Sequence, residues 1–230
     1  MIVGITRVRN EELIIEDTLK HFLCHVDRVY LYDDASIDNT VRIASSFDNV
    51  YVTRGDVWRR DRPAEETRHR ALLLDQAPHD AWVLCFDADE RLDGSLPDDR
   101  DVDGYRFPLY DGYMTPYHSE PYTGGALADL PRMWGPECRH ILMFFRRDKA
   151  RYVGLDQREP AMSGVTERRG PRVKHFGKCL SVEHWEETCD YYSTHWGEPY
   201  RTKWHNRKGK AIHTMSDFGR PLCAWEDLPL

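Results

Sequence analysis

Over the first hundred residues, short apolar runs alternate with amphipathic stretches, the rhythm of a mostly parallel sheet wrapped by helices. Ile2 to Val8 reads as a buried strand. Asn10 is placed to cap a helix whose apolar stripe is Ile15, Leu19, Phe22, Leu23 and Val26, with Glu11 and Glu12 at its positive end. Arg28 to Tyr32 predicts a second strand, ending at Asp33 and Asp34. A second helix should begin near Asp38 and bury Val41, Ala44 and Phe47, and Val50 to Thr53 is a third strand. After a charged loop from Arg54 to Arg62, Pro63 suits a first helical turn, with Ala64, Thr67, Ala71 and Leu74 as the apolar stripe. Trp82 to Phe86 is the fourth strand and delivers Asp87 and Asp89 at its C-terminal end.

Beyond Arg91 the rhythm changes. Gly104 to Tyr110 and Ile141 to Arg146 predict strands. The segment between them, Asp111 to His140, has no regular period and is too long for a plain connector, which predicts a lid or binding loop. Ser181 to Trp196 reads as a helix packed through Trp185, Cys189, Tyr192 and Trp196.

Composition narrows the class. A chain of 230 residues suits one sizeable core. A mean hydropathy of -0.69, with no run of about 18 apolar residues, excludes a membrane-spanning helix. Arg9, Glu11 and Glu12 interrupt the N-terminal apolar run too early for a secretory signal, so a cytoplasmic protein is expected. Six cysteines lie scattered without a CxxC pair, which argues for reduced thiols and against a zinc ribbon or a disulfide framework. The net charge of -7 is unevenly spread: residues 1–104 carry 13 basic and 23 acidic side chains, residues 168–210 carry 10 and 5. Ordinary surface solvation and an anion-binding edge are both compatible with that split.

In open α/β sheets, ligands bind beyond the C-terminal ends of the strands. Thr6 to Asn10, Asp33 to Asp38 and Asp87 to Glu90 all sit at such ends and are expected to share one crevice. Two aspartates on a strand-end turn suit a divalent cation, which takes oxygen ligands and bridges to phosphates.

Arg9-Asn10-Glu11-Glu12, Asp33-Asp34-Ala35-Ser36-Ile37-Asp38-Asn39-Thr40, Thr67-Arg68-His69-Arg70-Ala71-Leu72 and Asp87-Ala88-Asp89-Glu90 follow one another in the order and spacing of family-2-like glycosyltransferases with a GT-A fold. Phe145-Arg146-Arg147, Tyr152-Val153-Gly154, Glu159-Pro160 and Val173-Lys174-His175-Phe176-Gly177 extend the resemblance to about residues 1–196. The fold it implies is α/β, with a mostly parallel central sheet flanked by helices and a C-terminal helical segment. Residues 1–104 would form the nucleotide-sugar-binding half, and residues 105–230 the acceptor-binding half and C-terminal helices of the same domain.

The resemblance also implies roles. Thr6, Arg7, Asn10, Asp33 and Asp34 would hold the nucleoside of a nucleoside-diphosphate sugar, with UDP the expected nucleotide. Arg68 would neutralise the diphosphate or hold the base edge. Asp87 would touch the ribose and the metal, Asp89 would be the principal ligand of Mn²⁺ or Mg²⁺, and His175 would complete the metal site. Glu159 matches the glutamate of the family's His-Glu pair, but Arg158 stands where the histidine is expected, and Asp156 is close by. Either Glu159 or Asp156 is therefore the candidate base for an inverting displacement.

Tyr113, Tyr117 and Trp134 are candidate acceptor-stacking residues. The acceptor is expected to be a saccharide or a modified nucleic acid, the basic segment from Arg168 to Lys210 favouring something anionic or polymeric. Two other readings stay open: a nucleotidyltransferase, although ITRVRNEE is no glycine-rich phosphate loop, and a non-catalytic nucleotide-sugar-binding module, favoured by Arg158.

Overall fold

The computed structural model describes residues 1–59, 61–155 and 158–229, so the candidate base Asp156 lies outside the described residues. The chain divides into two compact units. The first comprises Met1–Ala88, Gly94–Phe107 and His140–Pro171; the second comprises Asp89–Asp93, Pro108–Arg139 and Arg172–Leu230.

In the first unit, β1 (Ile2–Val8), β2 (Arg28–Asp33), β3 (Val50–Arg54) and β4 (Trp82–Cys85) form a parallel set in the order β3-β2-β1-β4. The register pairs Val8 with Asp33 and Ile5 with Cys85, so the acidic strand ends emerge on one edge. β7 (Met133–Arg146) runs antiparallel to β4, and β6 (Gly104–Tyr113) continues the sheet, with β8 (Glu167–Arg169) paired to its start. Both β6 and β7 run on into the second unit.

The helix α3 (Arg62–Gln76) packs on β1 and β2, burying Leu73 and Leu74 against Val3, Ile5 and Val83. Its buried face includes His69 and Arg70, whereas Ala64 and Ala71 of the predicted stripe are only partly covered. α1 (Ile15–Leu23) covers the sheet through Phe22, whose ring stacks on Phe86 at 3.7 Å. It begins without a side-chain cap, so Asn10 is not the predicted helix cap. Asn10 instead adopts φ 54, a left-handed conformation that asparagine tolerates better than most residues.

The second unit carries β5 (Glu90–Asp93), β9 (Arg172–His175) and the end of β6, in the order β6-β9-β5. α4 (Val182–His195) starts at Ser181, whose side chain accepts from the His184 amide, and packs on α5 (Tyr200–His205) through Trp185 and Trp204. α2 (Thr40–Ala44), in the first unit, is a short helix against α1. The predicted lid is shorter than expected: Asp111–Tyr113 extends β6, and β7 begins at Met133. Apolar alternation at Tyr110, Gly112 and Trp134 was hidden by glycines and prolines that the extended strands tolerate.

Candidate functional site

The motif pair RNEE and DxSxDxT is a stitch between two strand-end loops. The Asn10 backbone amide donates to Ser36 Oγ at 2.8 Å, and its side-chain Oδ1 accepts from the Ile37 amide at 3.0 Å. The Glu11 amide donates to Thr40 Oγ1 at 2.7 Å, and the Glu12 amide to Asp38 Oδ2 at 3.1 Å. Asp38 Oδ1 accepts from the Thr40 amide at 3.0 Å at the start of α2. Asn10 thus spends its side chain on backbone, and shapes the loop without offering that oxygen to a ligand.

Beneath the stitch lie buried polar atoms with no hydrogen-bond partner among the described residues: Thr6 Oγ1, Arg7 Nε and Asp33 Oδ1. Buried polar groups are normally paired, and such exceptions concentrate where a ligand completes them. The other Asp33 oxygen accepts from the Ser36 amide at 3.2 Å. A cavity of about 280 Å³ is lined by Ala35–Ile37 and Arg54–Asp56, residues at and just beyond the ends of β2 and β3.

From Asp34 an alternating line of charges runs across the first unit. Arg62, fully buried, pairs with Asp34; Arg7 lies 3.6 Å from Asp34 and 2.9 Å from Glu66. Glu66 meets Arg70 at 3.4 Å, and Arg70 meets Asp87 Oδ1 at 3.0 Å. Arg158 closes the line on Asp87 Oδ2 at 3.1 Å. Four guanidinium groups alternate with three carboxylates along it. Burial disfavours a charged Arg70, but Asp87 and Glu66 outweigh it and raise its affinity for the proton.

Arg68, the arginine expected at the diphosphate, instead pairs with Glu65 at 2.7 Å. That hydrogen bond, acting against burial, holds the Glu65 carboxyl below its usual range. The arginine that reaches the aspartate motif is Arg70, two positions on, because α3 turns Arg68 outward and Arg70 toward the sheet. Nothing in the sequence distinguishes the two except helical phase. His69 stacks on Tyr32 at 3.8 Å and is held neutral, its pKa pushed down to about 3 by burial and by Arg7 and Arg68.

Asp87 faces two arginines, and Asp89 faces elsewhere. In the second unit β5 and β9 pair Glu90 with His175, and the Phe176 amide donates to the Asp89 carbonyl at 2.8 Å. That register brings His175 Nε2 to 3.3 Å from Asp89 Oδ2. On the other side of β9, β6 pairs Asp111 with His175, whose Nδ1 lies 2.6 Å from Asp111 Oδ1. Burial works against a charged imidazole, yet Asp89 and Asp111 override it and push the pKa of His175 up to about 10.

Gly177 keeps this place open. A Cβ there would lie 2.4 Å from Asp89 Oδ2 and 2.9 Å from His175 Nε2, closer than side chains approach. An oxygen and a ring nitrogen facing one gap fit a divalent cation of the Mn²⁺ or Mg²⁺ type, which usually takes one or two carboxylates plus substrate phosphates. Among the described residues, no group of three or more His, Cys, Asp and Glu side chains is placed to hold a metal ion. Both Asp87 oxygens are engaged by guanidinium groups.

Glu159 Oε2 accepts from Arg106 Nη1 at 2.6 Å and from the Leu142 amide at 3.1 Å, while Arg106 also binds Glu167 at 2.6 Å. Its ion-pair partner is therefore Arg106, and its neighbour Arg158 turns to Asp87. Of the acceptor candidates, Tyr117 is 90% exposed. Tyr113 and Trp134 are buried: the Tyr113 hydroxyl accepts from the Asp217 amide, and Trp134 is wedged edge-on between Phe176 and Trp225. Several cations of the basic segment have local partners, Arg168 with Asp99, Arg172 with Asp93, Arg207 with Asp217, Lys208 with Asp190 and Lys174 with the Ala128 carbonyl. Among the described residues, no helix is long and apolar enough to cross a membrane.

No curated protein matches the chain. Among solved structures, it is similar to the 1–349 segment of S. aureus TarS, at 13% identity over 90% of this chain and 71% of that one, TM-score 0.39. It is also similar to a 4-diphosphocytidyl-2C-methyl-D-erythritol synthase, at 12% identity over 65% of this chain and 76% of that one, TM-score 0.37. A third is the mannosyltransferase PcManGT from Pyrobaculum calidifontis in complex with GDP-Man and Mn²⁺, at 17% identity over 91% of this chain and 65% of that one, TM-score 0.49. Residues 5–96, which run from within β1 through β5 and contain the aspartate motif, match the family model described as glycosyl transferase family 2. Over that span, about two-fifths of the chain, the sequence is similar to the family-2 glycosyltransferases.

Proposed function

We propose that the protein moves a sugar from a nucleoside-diphosphate sugar, UDP the expected nucleotide, to an acceptor hydroxyl by inverting displacement. The observation that carries the reading is Asp89 facing His175 across the gap kept by Gly177, two residues beyond Asp87 in the turn that follows β4. Asp89 and His175 would hold Mn²⁺ or Mg²⁺, which supplies charge neutralisation for the departing diphosphate. The chain's own residues do the rest. The unpaired atoms of Thr6, Arg7 and Asp33 offer hydrogen bonds to a nucleoside. Arg70 and Arg158, both on Asp87, are suited to a diphosphate.

Glu159, held as a carboxylate partner of Arg106, is the proposed proton acceptor for the incoming hydroxyl. A saccharide acceptor is favoured over a polyanion, because much of the charge in the basic segment is matched by local carboxylates. Tyr117 is the exposed ring of the three candidates for stacking on it.

A thermal-shift panel of nucleotide sugars, with and without Mn²⁺, tests the reading. A matched donor at about 100 times its dissociation constant adds about 2.7 kcal/mol of stability. No shift with any nucleotide or nucleotide sugar, in either condition, rules the reading out.

A further inference from the structure

We infer that Asp111 orients His175 toward the cation and that Lys178, anchored by Asp217 of the C-terminal segment, fixes Asp111 in turn; this rests on the proposed role of His175 as a ligand. The parallel register of β6 and β9 sets Asp111 directly beside His175, and the 2.6 Å contact is to Nδ1, the ring nitrogen remote from Asp89. A carboxylate that accepts the Nδ1–H hydrogen bond keeps that proton on Nδ1, so that Nε2, the nitrogen that faces Asp89, is the one at which a cation would displace the proton.

The second Asp111 oxygen is engaged by Lys178 Nζ at 2.7 Å, and the same ammonium reaches Asp217 Oδ2 at 2.6 Å. Lys178 is only 8% exposed, so its charge is retained because two carboxylates hold it. Asp217 is itself fixed, by Arg207 at 2.7 Å and by its amide on the Tyr113 hydroxyl. It sits in a tight turn closed by the Gly219 amide on the Ser216 carbonyl, with Ser216 Oγ on Glu137. Arg139 also reaches Asp111 Oδ1, at 2.9 Å, but its side chain is more than half exposed and is the weaker restraint. The atoms bordering the gap at Gly177 belong to Asp89 and His175, so Asp111 and Lys178 act through His175 and are positioning residues.

The test is Mn²⁺ binding to the full chain, read as the dissociation constant and as the imidazole ¹⁴N coupling in electron spin-echo spectra, with melting temperature as the control for folding. Asp111→Asn is expected to weaken Mn²⁺ binding about 10- to 100-fold and to diminish the ¹⁴N coupling, a signature that a purely structural role would not move. Lys178→Met is expected to act in the same direction and more weakly. The double variant should bind no worse than Asp111→Asn alone, because both act on one contact. Wild-type protein that binds no Mn²⁺ overturns both the proposed cation site and this inference. Wild-type binding with ¹⁴N coupling, and the same affinity and coupling in Asp111→Asn, overturns this inference alone. Additive losses in the double variant overturn the link through Lys178. Should Asp111→Asn not fold, unchanged affinity and coupling in Lys178→Met overturns the inference.

Discussion

His69 makes stability depend on pH in a direction that can be worked out. Its ring is fully buried against Tyr32, and burial, reinforced by Arg7 and Arg68, pushes its pKa down to about 3 from 6.5. Below pH 6.5 the unfolded chain binds a proton that the native ring refuses. The native state therefore loses stability as pH falls from 6.5 toward 3, and regains it as pH rises through that window. The slope for one proton is about 1.4 kcal/mol per pH unit, which makes the loss about 2 kcal/mol between pH 6.5 and pH 5. His69→Phe keeps an aromatic ring on Tyr32 and removes the titration. Urea unfolding followed by tryptophan fluorescence at pH 7 and pH 5 gives the comparison, since every other titrating group is common to both proteins. The wild type should lose about 2 kcal/mol more than the variant over that interval. Equal losses would refute the reasoning, and would mean that His69 takes up its proton in the folded chain.

Other expectations bear on the site. Gly177→Ala forces Asp89 and His175 apart by about 1 Å and should weaken Mn²⁺ binding by about 100-fold while leaving the melting temperature near wild type; calorimetric titration reads it. Glu159→Gln should lower turnover by about 10² to 10⁴ with donor affinity little changed, whereas collapse only in Asp156→Asn would move the base to Asp156. Arg158→Ala should weaken nucleoside-diphosphate binding and leave nucleoside binding intact, because Arg158 ends the charge line at Asp87. Acceptor affinity should change little between about 50 and 200 mM salt; a steep fall would restore the polyanion reading.

The strands and helices of the first hundred residues were legible because each buries a face whose apolar period the sequence displays. Trp82 to Cys85 has no polar interruption and Ile2 to Val8 only Thr6 and Arg7 near its end, and the structure returns both almost unchanged. Pairing order was not legible in the same way. The placement of β9 between β5 and β6, which brings His175 to Asp89 and Asp111, depends on contacts between segments 64 to 86 residues apart. That Arg70 reaches Asp87 was not legible, because an amphipathic pattern fixes a helix's phase poorly when its buried face carries charge. Asp111, Lys178 and Asp217 carried no motif, and the glycine-rich stretch around Asp111 read as a loop although its backbone continues a strand. Tyr113 and Trp134 read as candidates for a surface because aromatic residues near glycines signal loops and core alike.

The central claim is a cation-dependent glycosyl transfer that relies on Asp89. Its most direct test is release of nucleoside diphosphate from the donor selected by thermal shift, followed with Mn²⁺ and with EDTA, for the wild type and for Asp89→Ala. The account predicts turnover by the wild type with Mn²⁺, its abolition by EDTA, and its absence in a folded Asp89→Ala protein under both conditions. Equal turnover by wild type and Asp89→Ala in EDTA would contradict it.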